Sequence, residues 1–544
     1  MAKCEFEQVQ QRLMYLKEKR SSWEPLWERI RSYVFPDAGR FDSRKRDDGN
    51  DRYSLICDAV AVDALDTLAA GMQSGISSPA RQWFKLTTND PKLDESFEVK
   101  QFLEDSQRAM EMLFARSDVY RALHTTYTEM AAFGVAATLM MRGEKPGTLD
   151  CIPLTIGEYW LAEDYRGRVD TLYREFRMTA IQMVHCWGKE AVRDAVRNAY
   201  EQGRMYDEFT VIHAIEPRED YDPDKQDNMN MPFRSVYFDP AEERKTLLSE
   251  SGFRTFPALC PRWRVIQGDV YGRGPGAKAV STARALQQKK FRYSESVDFK
   301  TKPALMMPLS MQGRHASLRP GAIFYYSEAT GAQGIKEAVE NRTPLQELLL
   351  GIEADQNDLR RFFYADMFQV LTDNMRANRT AFEIEQIVQE KMMVMGPVLE
   401  SLHTELLDPL INMAFDVLLE DGLLPTPPTE LQGKDLNVEY VSVMAQAQRN
   451  SGMQAIAKFM NYAGTMAQLK PEALDVINGD RIMREIGDVE GTPADFLYSE
   501  ENVKATREQR AQAQAQQAQV AQAKDQATAM RDAGIAAQAM RSMN

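Results

Sequence analysis

The stretch QEKMMVMGPVLESLHTELLDPLINMAFDVLLEDGLLP, Gln389 to Pro425, reads as helix although Pro397 and Pro409 lie inside it. Across 380–421 the apolar residues Ile384, Ile387, Val388, Met392 and Met395 share a face. After Gly396-Pro397 the stripe resumes as Leu399, Leu402, Leu406, Leu410, Ala414 and Val417, mostly four apart. An interior proline costs about 3 kcal/mol in a straight helix, because it removes a ladder bond and its ring meets a carbonyl one turn back. That cost disappears where a proline opens the first turn after a bend, and Asp408 before Pro409 is a suitable N-cap. The pattern predicts one long helix kinked near Gly396-Pro397, with a second break allowed at Asp408, and ended by Gly422. A long bent helix is scaffold, not a place for chemistry.

Outward from that helix, the preceding LTDNMRANRT (371–380) is polar, lacks a consistent apolar face and reads as a loop. Before it, RTPLQELLLGIEADQNDLRRFFYADMF (342–368) is helical, with Pro344 suited to a first turn. KPALMMP to IFYYSE (302–328) is strand-like, and YGRGPGAKAVSTARALQQKKFRYSESVDF (271–299) is a Gly/Pro loop running into a basic helix. From about 150 to 265 short strand-like runs alternate with turns: TLDCIPLTI, TLYREFRM, FTVIHAIEP, RSVYFD and FPALCPRWRV. A helix carrying Ile181, Val184, Val192 and Val196 interrupts them. The N-terminal part is helical: Phe6, Val9, Leu13 and Leu16 form one face, Ser22 is placed to cap a second helix with Pro25 in its first turn, and 58–76 forms a third. Residues 99–145 carry two more helices around GVAATLMM. Downstream, DLNVEYVSV (435–443) reads as a strand, then helices to 500, then an Ala/Gln-rich tail with high helix propensity and little to bury alone. The fold class is α+β, mainly helical.

At 544 residues the chain can bury a large core in several subdomains. The opening MAKCEFEQVQ is charged and has no apolar h-region, so no signal peptide is expected. The longest apolar run, 130–141, is too short to span a bilayer, and no membrane association is expected. Five scattered cysteines without a CxxC pair favour a reducing compartment. A net charge of −14 argues against a protein that wraps nucleic acid with its whole surface. Yet residues 262–302 hold ten Lys/Arg against three Asp/Glu, net +7, which is either a solvated face or a surface facing something anionic.

Familiar chemical motifs are absent from the sequence. There is no GxxxxGK[ST] for ATP, and GRGPGAKA lacks the spacing of a dinucleotide cradle. DYDPDKQDNMNM (220–231) has Lys225 and Met231 where a calcium loop needs Gly and Glu. The five histidines never fall in a metal spacing, and His185-Cys186, adjacent in sequence, reads as packing. No catalytic residue, metal site or cofactor is expected, and the residues point to a structural or interaction protein. Two other classes stay open: a nucleic-acid enzyme with an unrecognised site, and a filament-forming structural protein suggested by the Ala/Gln tail.

Three segments together resemble the head-to-tail connector (portal) proteins of short-tailed bacteriophages. They are DALDTLAAGMQSGISSPARQWFKL (63–86), SGFRTFPALCPRWRV with YGRGPGAKAVSTARALQQ (251–288), and RTAFEIEQI with GPVLESLHTELLDPLINMAFDVLLEDGLLP (379–425). VSTARAL departs from the family pattern, which has an acidic or proline-bearing turn there. The resemblance implies a ring, usually dodecameric, around a channel for double-stranded DNA. It implies a wing at 1–270, a first stem helix at 271–299, a clip at 300–342 and a second stem helix at 343–368. A channel loop follows at 369–379, the long kinked wing helix at 380–424, a crown at 425–503 and a helical barrel or tail at 504–544. On that reading Met375, Arg376, Asn378 and Arg379 in the loop, with Lys289, Lys290 and Arg292 on the stem helix, are candidates to face DNA. The competing role is inter-subunit salt bridging for Arg376 and Arg379, and a solvent-facing or subunit-facing position for Lys289 and Lys290. Arg314, His315 and Arg319 in the clip would meet partners. The implied partners are further copies of the chain, double-stranded DNA, the terminase large subunit, a tail adaptor, and capsid and scaffolding proteins. The implied location is the head-tail vertex of the virion, reached by assembly in the host cytoplasm.

Overall fold

The computed structural model describes residues 6–41, 52–88, 90, 93, 96–222, 225, 227–242, 245–309, 323–326, 336–337, 344–367, 395–431, 436–440, 462, 479, 482–483 and 503–516. In chain order the helices are α1 (Phe6–Ser21), α2 (Glu24–Tyr33), α3 (Val60–Ile76), α4 (Phe97–Arg116), α5 (Val119–Phe133), α6 (Ala180–Trp187) and α7 (Asp194–Glu201). They continue as α8 (Pro275–Thr301), α9 (Leu345–Phe362), α10 (Gly396–Leu402) and α11 (Asp408–Glu420). The strands are β1 (Phe84–Thr88), β2 (Ala137–Arg142), β3 (Leu149–Leu154), β4 (Tyr159–Glu163), β5 (Val169–Thr179), β6 (Glu208–Pro217) and β7 (Phe233–Phe238). β8 (Ser249–Phe253), β9 (Ala258–Leu259), β10 (Leu305–Pro308), β11 (Ile323–Tyr326), β12 (Lys336–Glu337) and β13 (Leu436–Tyr440) complete them. The described chain is α+β, with helix the larger share.

Two compact units divide the chain: one of Met1–Trp83, Arg108–Leu424 and Ser442–Met444, the other of Phe84–Gln107, Pro425–Val441 and Ala445–Asn544. In the second unit β1 and β13 pair antiparallel, Phe84 opposite Tyr440 and Thr88 opposite Leu436. Residues 503–516 are helical there and exposed from Lys504 onward.

The first unit is organised by an antiparallel sheet of order β4-β5-β6-β7-β8. Its strands alternate faces with period two. Trp160, Tyr173, Ile212, Ala214, Val236 and Phe238 point to one face, where Phe6, Val9, Leu13 and Leu16 of α1 cover them. Burying each such side chain is worth about 1.5–3 kcal/mol, so α1 is held by its stripe and not by propensity. Val211, Phe176 and Met178 point to the other face and meet Ala180, Met183, Val184, Val192, Val196 and Ala199. Five of these six come from two helices and not one, and Val192 lies in the turn between them. Gly188 ends α6 at φ 83°, and the chain turns before α7.

Two other local expectations fail for identifiable reasons. Ser22 does not cap α2; its hydroxyl donates to the Lys19 carbonyl at 3.3 Å, and Trp23 takes the capping position without a side-chain bond. GVAATLMM is not helical beyond its glycine. Gly134 ends α5 in the left-handed region, φ 88°, and Ala137–Arg142 leaves as β2, paired with β3 and β9. The apolar run cannot tell buried strand from buried helix, and sheet pairing decides.

The helix of the opening stretch is described from Gly396 onward; residues 380–394 lie outside the described residues, so only the downstream side of the expected kink at Gly396-Pro397 is described. Pro397 sits in the first turn of α10. At Pro409 the outcome is different from a capped break. Leu407 and Asp408 keep helical angles, and a π-turn over His403–Leu407 joins α10 to α11. A π-turn widens the ladder by one residue, which moves a carbonyl out of the way of the proline ring. Leu402, Leu406, Leu410, Ala414 and Val417 are buried, and Leu407, Ile411 and Leu418 widen the same buried face. Gly422 ends the helix at φ 65°, with the Leu423 N–H donating to the Leu418 carbonyl at 3.0 Å.

Candidate functional site

The basic region centres on α8. Its Gly-rich entry is explained by packing. A Cβ on Gly276 would stand 2.1 Å from the Ala132 carbonyl, and one on Gly272 would stand 2.4 Å from that of Gly134. The backbones at the end of α5 and the start of α8 touch, leaving no room for a side chain between them. Pro275 opens α8, where a missing N–H costs nothing. Tyr271 just before it stacks edge-on to Trp27 at 5.1 Å and accepts from the Leu161 N–H at 3.1 Å.

Midway along α8, Gln287 acts as a polar clamp. Its Oε1 accepts from the Cys57 and Asp58 amides at 2.7 and 2.8 Å, while its Nε2 donates to the Asp58 carbonyl at 2.9 Å. The buried Asp58 carboxylate then accepts from Val60 N at the start of α3 and from Gln356 Nε2 of α9, at 3.1 and 2.8 Å. Lys290 Nζ completes this node at 3.3 Å. At the adjacent position of α9, Asp355 pairs with Lys289 Nζ at 2.7 Å, and the same ammonium donates to the Gly351 carbonyl at 3.3 Å. Both lysines therefore fasten α8 to its neighbours within the subunit. Arg292 is exposed beside the exposed Phe291 and has no ion-pair partner among the described residues.

Of the ten basic residues from 262 to 302, four pair with carboxylates of the chain: Arg262, Arg273, Lys289 and Lys290. The other six have no such partner among the described residues. Arg262 is a structural residue that the sequence reading counted only as surface charge. Its side chain is 4% exposed and every guanidinium N–H is used. Nε donates to Glu405 at 3.0 Å; Nη1 donates to Glu163 and the Val270 carbonyl at 3.1 and 3.3 Å; Nη2 donates to the Gly167 carbonyl at 2.7 Å and to Glu405. Burial works against its charge, but the two carboxylates outweigh it and raise its pKa. Nothing local in FPALCPRWRV separates Arg262 from the exposed Arg264, since both partners of Arg262 are distant in sequence.

The candidates Met375, Arg376, Asn378, Arg379, Arg314, His315 and Arg319 lie outside the described residues. Among the described residues no group of His, Cys, Asp and Glu could hold a metal ion, and no helix is long and apolar enough to cross a membrane.

Comparison with known proteins gives this arrangement its context. Residues 7–497 match the family described as "Bacteriophage head to tail connecting protein". The chain belongs to that family. Connector proteins to which it is similar include the "Probable portal protein" of Bordetella phage BPP-1, 42% identical over 505 residues, covering 92% of this chain and 91% of the relative. The "Portal protein" of Salmonella phage epsilon15 is 36% identical over 520 residues, covering 95% and 93%. The chain is thus a portal-type connector, a structural component of the head-tail vertex. In this connector the Gly-rich segment is a helix-packing contact, not a nucleotide cradle.

Proposed function

We propose that identical copies of this chain close into a ring, dodecameric as is usual for the family, around a channel through which double-stranded DNA is packaged and ejected. The observation that carries the reading is the family match, which runs through the N-terminal helices, the sheets, the α8–α9 pair and the long helix. In this assignment residues 1–270 form the wing, 271–299 and 343–368 the stem helices, 300–342 the clip and 369–379 the channel loop. The helix of 380–424 returns to the wing, 425–503 form the crown, and 504–544 form a helical barrel or tail.

The charge distribution supports a conduit. Each phosphate neutralised by Lys or Arg releases counterions and tightens binding, so a wholly basic bore would act as a brake. A chain of net charge −14 with a few open basic points avoids that. Arg292 on α8, with Met375, Arg376, Asn378 and Arg379 in the loop, is assigned to the DNA side. Lys289 and Lys290 contribute there chiefly by holding α8 in place. The clip residues Arg314, His315 and Arg319 meet the terminase large subunit during packaging and the tail adaptor afterwards, while capsid and scaffolding proteins meet the wing. Energy for packaging comes from the separate motor, since the sequence carries no nucleotide motif. Assembly occurs in the host cytoplasm.

The test is packaging by particles built with an Arg376→Ala or Arg292→Ala connector. Intact rings with altered DNA retention support the assignment, whereas loss of rings makes the residue a subunit contact.

A further inference from the structure

α2 packs against α8, and between them lies a cavity of about 270 Å³. Arg29 and Tyr33 of α2 line it together with Val280, Ser281, Arg284 and Gln288 of α8. Arg29 Nε donates to its own helix at the Pro25 carbonyl, 3.2 Å, which leaves its Nη groups open. Neither Arg29 nor Arg284 has a carboxylate partner among the described residues, whereas Arg262, Arg273, Lys289 and Lys290 nearby in sequence all have one. Two exposed guanidinium groups edge one hollow, and the exposed Ser281 hydroxyl and Gln288 amide can add donors of their own. The hollow is an open cationic surface site, and no carboxylate among the described residues pairs with either arginine.

We infer that the Arg29–Arg284 cavity receives an Asp or Glu side chain of a second copy of this chain. The inference rests on the ring reading above and adds a contact to it. Two features favour a protein carboxylate over a DNA phosphate. The site is a recess with an apolar wall at Val280, which suits a single side chain and its methylenes better than the rounded face of a duplex. Finally, each copy carries 80 Asp/Glu against 66 Lys/Arg, so copies repel unless cationic recesses on one meet surplus carboxylates on the next.

The test uses the full chain carrying R284K, with labelled and unlabelled copies assembled together and treated with a carbodiimide. That reagent joins an amine to a carboxylate as an amide and takes up the water itself. The expected product is a peptide pair linking position 284 of one copy to an acidic residue of a differently labelled copy. In parallel, R284E should raise the concentration needed for assembly by about tenfold or more, about 1.4 kcal/mol, and R284K by less, with the melting temperature of the unassembled subunit unchanged. Links confined to a single copy, no link at position 284, or R284E rings that form normally but hold DNA differently would each overturn the inference. An R284K protein that gives the link between copies, while neither it nor the wild type forms a closed ring, would sink the ring reading and leave this contact standing.

Discussion

Arg262 and Glu405 are joined by three hydrogen bonds, one of them from the Arg262 backbone amide at 2.9 Å, and through them the π-turn of the long helix is tied to the β9–α8 connection. The carboxylate sits where the helix ladder is widest because Pro409 has no N–H to give. The arginine takes up what the irregular turn offers, and its remaining donors hold the β4–β5 turn at Gly167 and the approach to α8 at Val270. One side chain thus fixes three pieces of backbone.

Removing one member of such a pair strands the other. Glu405→Ala should destabilise the subunit by about 3 kcal/mol, the usual cost of an uncompensated buried charge. Arg262→Lys should recover little of the function of the arginine, because an ammonium cannot supply five donors in a planar fork. Thermal unfolding of both variants checks this. A Glu405→Ala protein as stable as wild type would mean that Glu163 alone suffices.

The α5–α8 contact makes a sharper prediction. Gly276→Ala puts a methyl 2.1 Å from the Ala132 carbonyl, backbone against side chain, with no flexible end to yield. Overpacking ordinarily costs about 1–3 kcal/mol, and this substitution should reach at least the upper end. Gly396→Ala is the control: nothing lies within 4 Å of its Cβ, and alanine there should be neutral or stabilising by about 0.5–1 kcal/mol. Chemical denaturation of the two variants reads the difference.

Glu129 sets a pH dependence. It is buried on α5, accepts from the Thr155 hydroxyl at 2.6 Å and the Ile156 amide at 3.3 Å, and burial pushes its pKa up from 4.5 to about 7. The folded protein therefore holds this proton more tightly than the unfolded chain does. Its stabilising effect is full below the unfolded value near 4.5 and is lost as pH rises toward 7, on the order of 3 kcal/mol in all. Glu129→Gln should flatten the fall of melting temperature across that window. A variant with the wild-type slope would assign the dependence to other groups.

The α8 residues divide by role. Gln287→Ala strands the Cys57 and Asp58 amides and should cost on the order of 2 kcal/mol, and Lys290→Ala about 1 kcal/mol. Arg292→Ala should leave stability within about 0.5 kcal/mol of wild type, as expected of an exposed substitution. Melting curves for the three variants separate the fastening residues from the one left open.

Much of this was legible in sequence because it was periodic. The stripe of α1, the long run of α8 and the C-terminal half of the bent helix repeat at helical spacing, and Gly422 marks an end that a left-handed residue must make. What could not be read depends on partners far along the chain. Lys289 and Lys290 look alike as surface charge until Asp355 and Asp58 arrive beside them. Gly272 and Gly276 read as a loop until the carbonyls of α5 come within touching distance. Pro409 reads as a break, yet a ladder can absorb a proline by widening. β1 and β13 are individually short and find each other only across most of the chain. The channel loop and clip candidates fall outside the described residues, so their roles rest on the family resemblance.

The central claim is that copies of this acidic chain close around an axial opening. Electron microscopy of the purified protein tests it most directly. End-on views should show closed annular particles of uniform subunit number with a central hole wide enough for duplex DNA. Compact single-chain particles, or open filaments under every assembly condition, would contradict it.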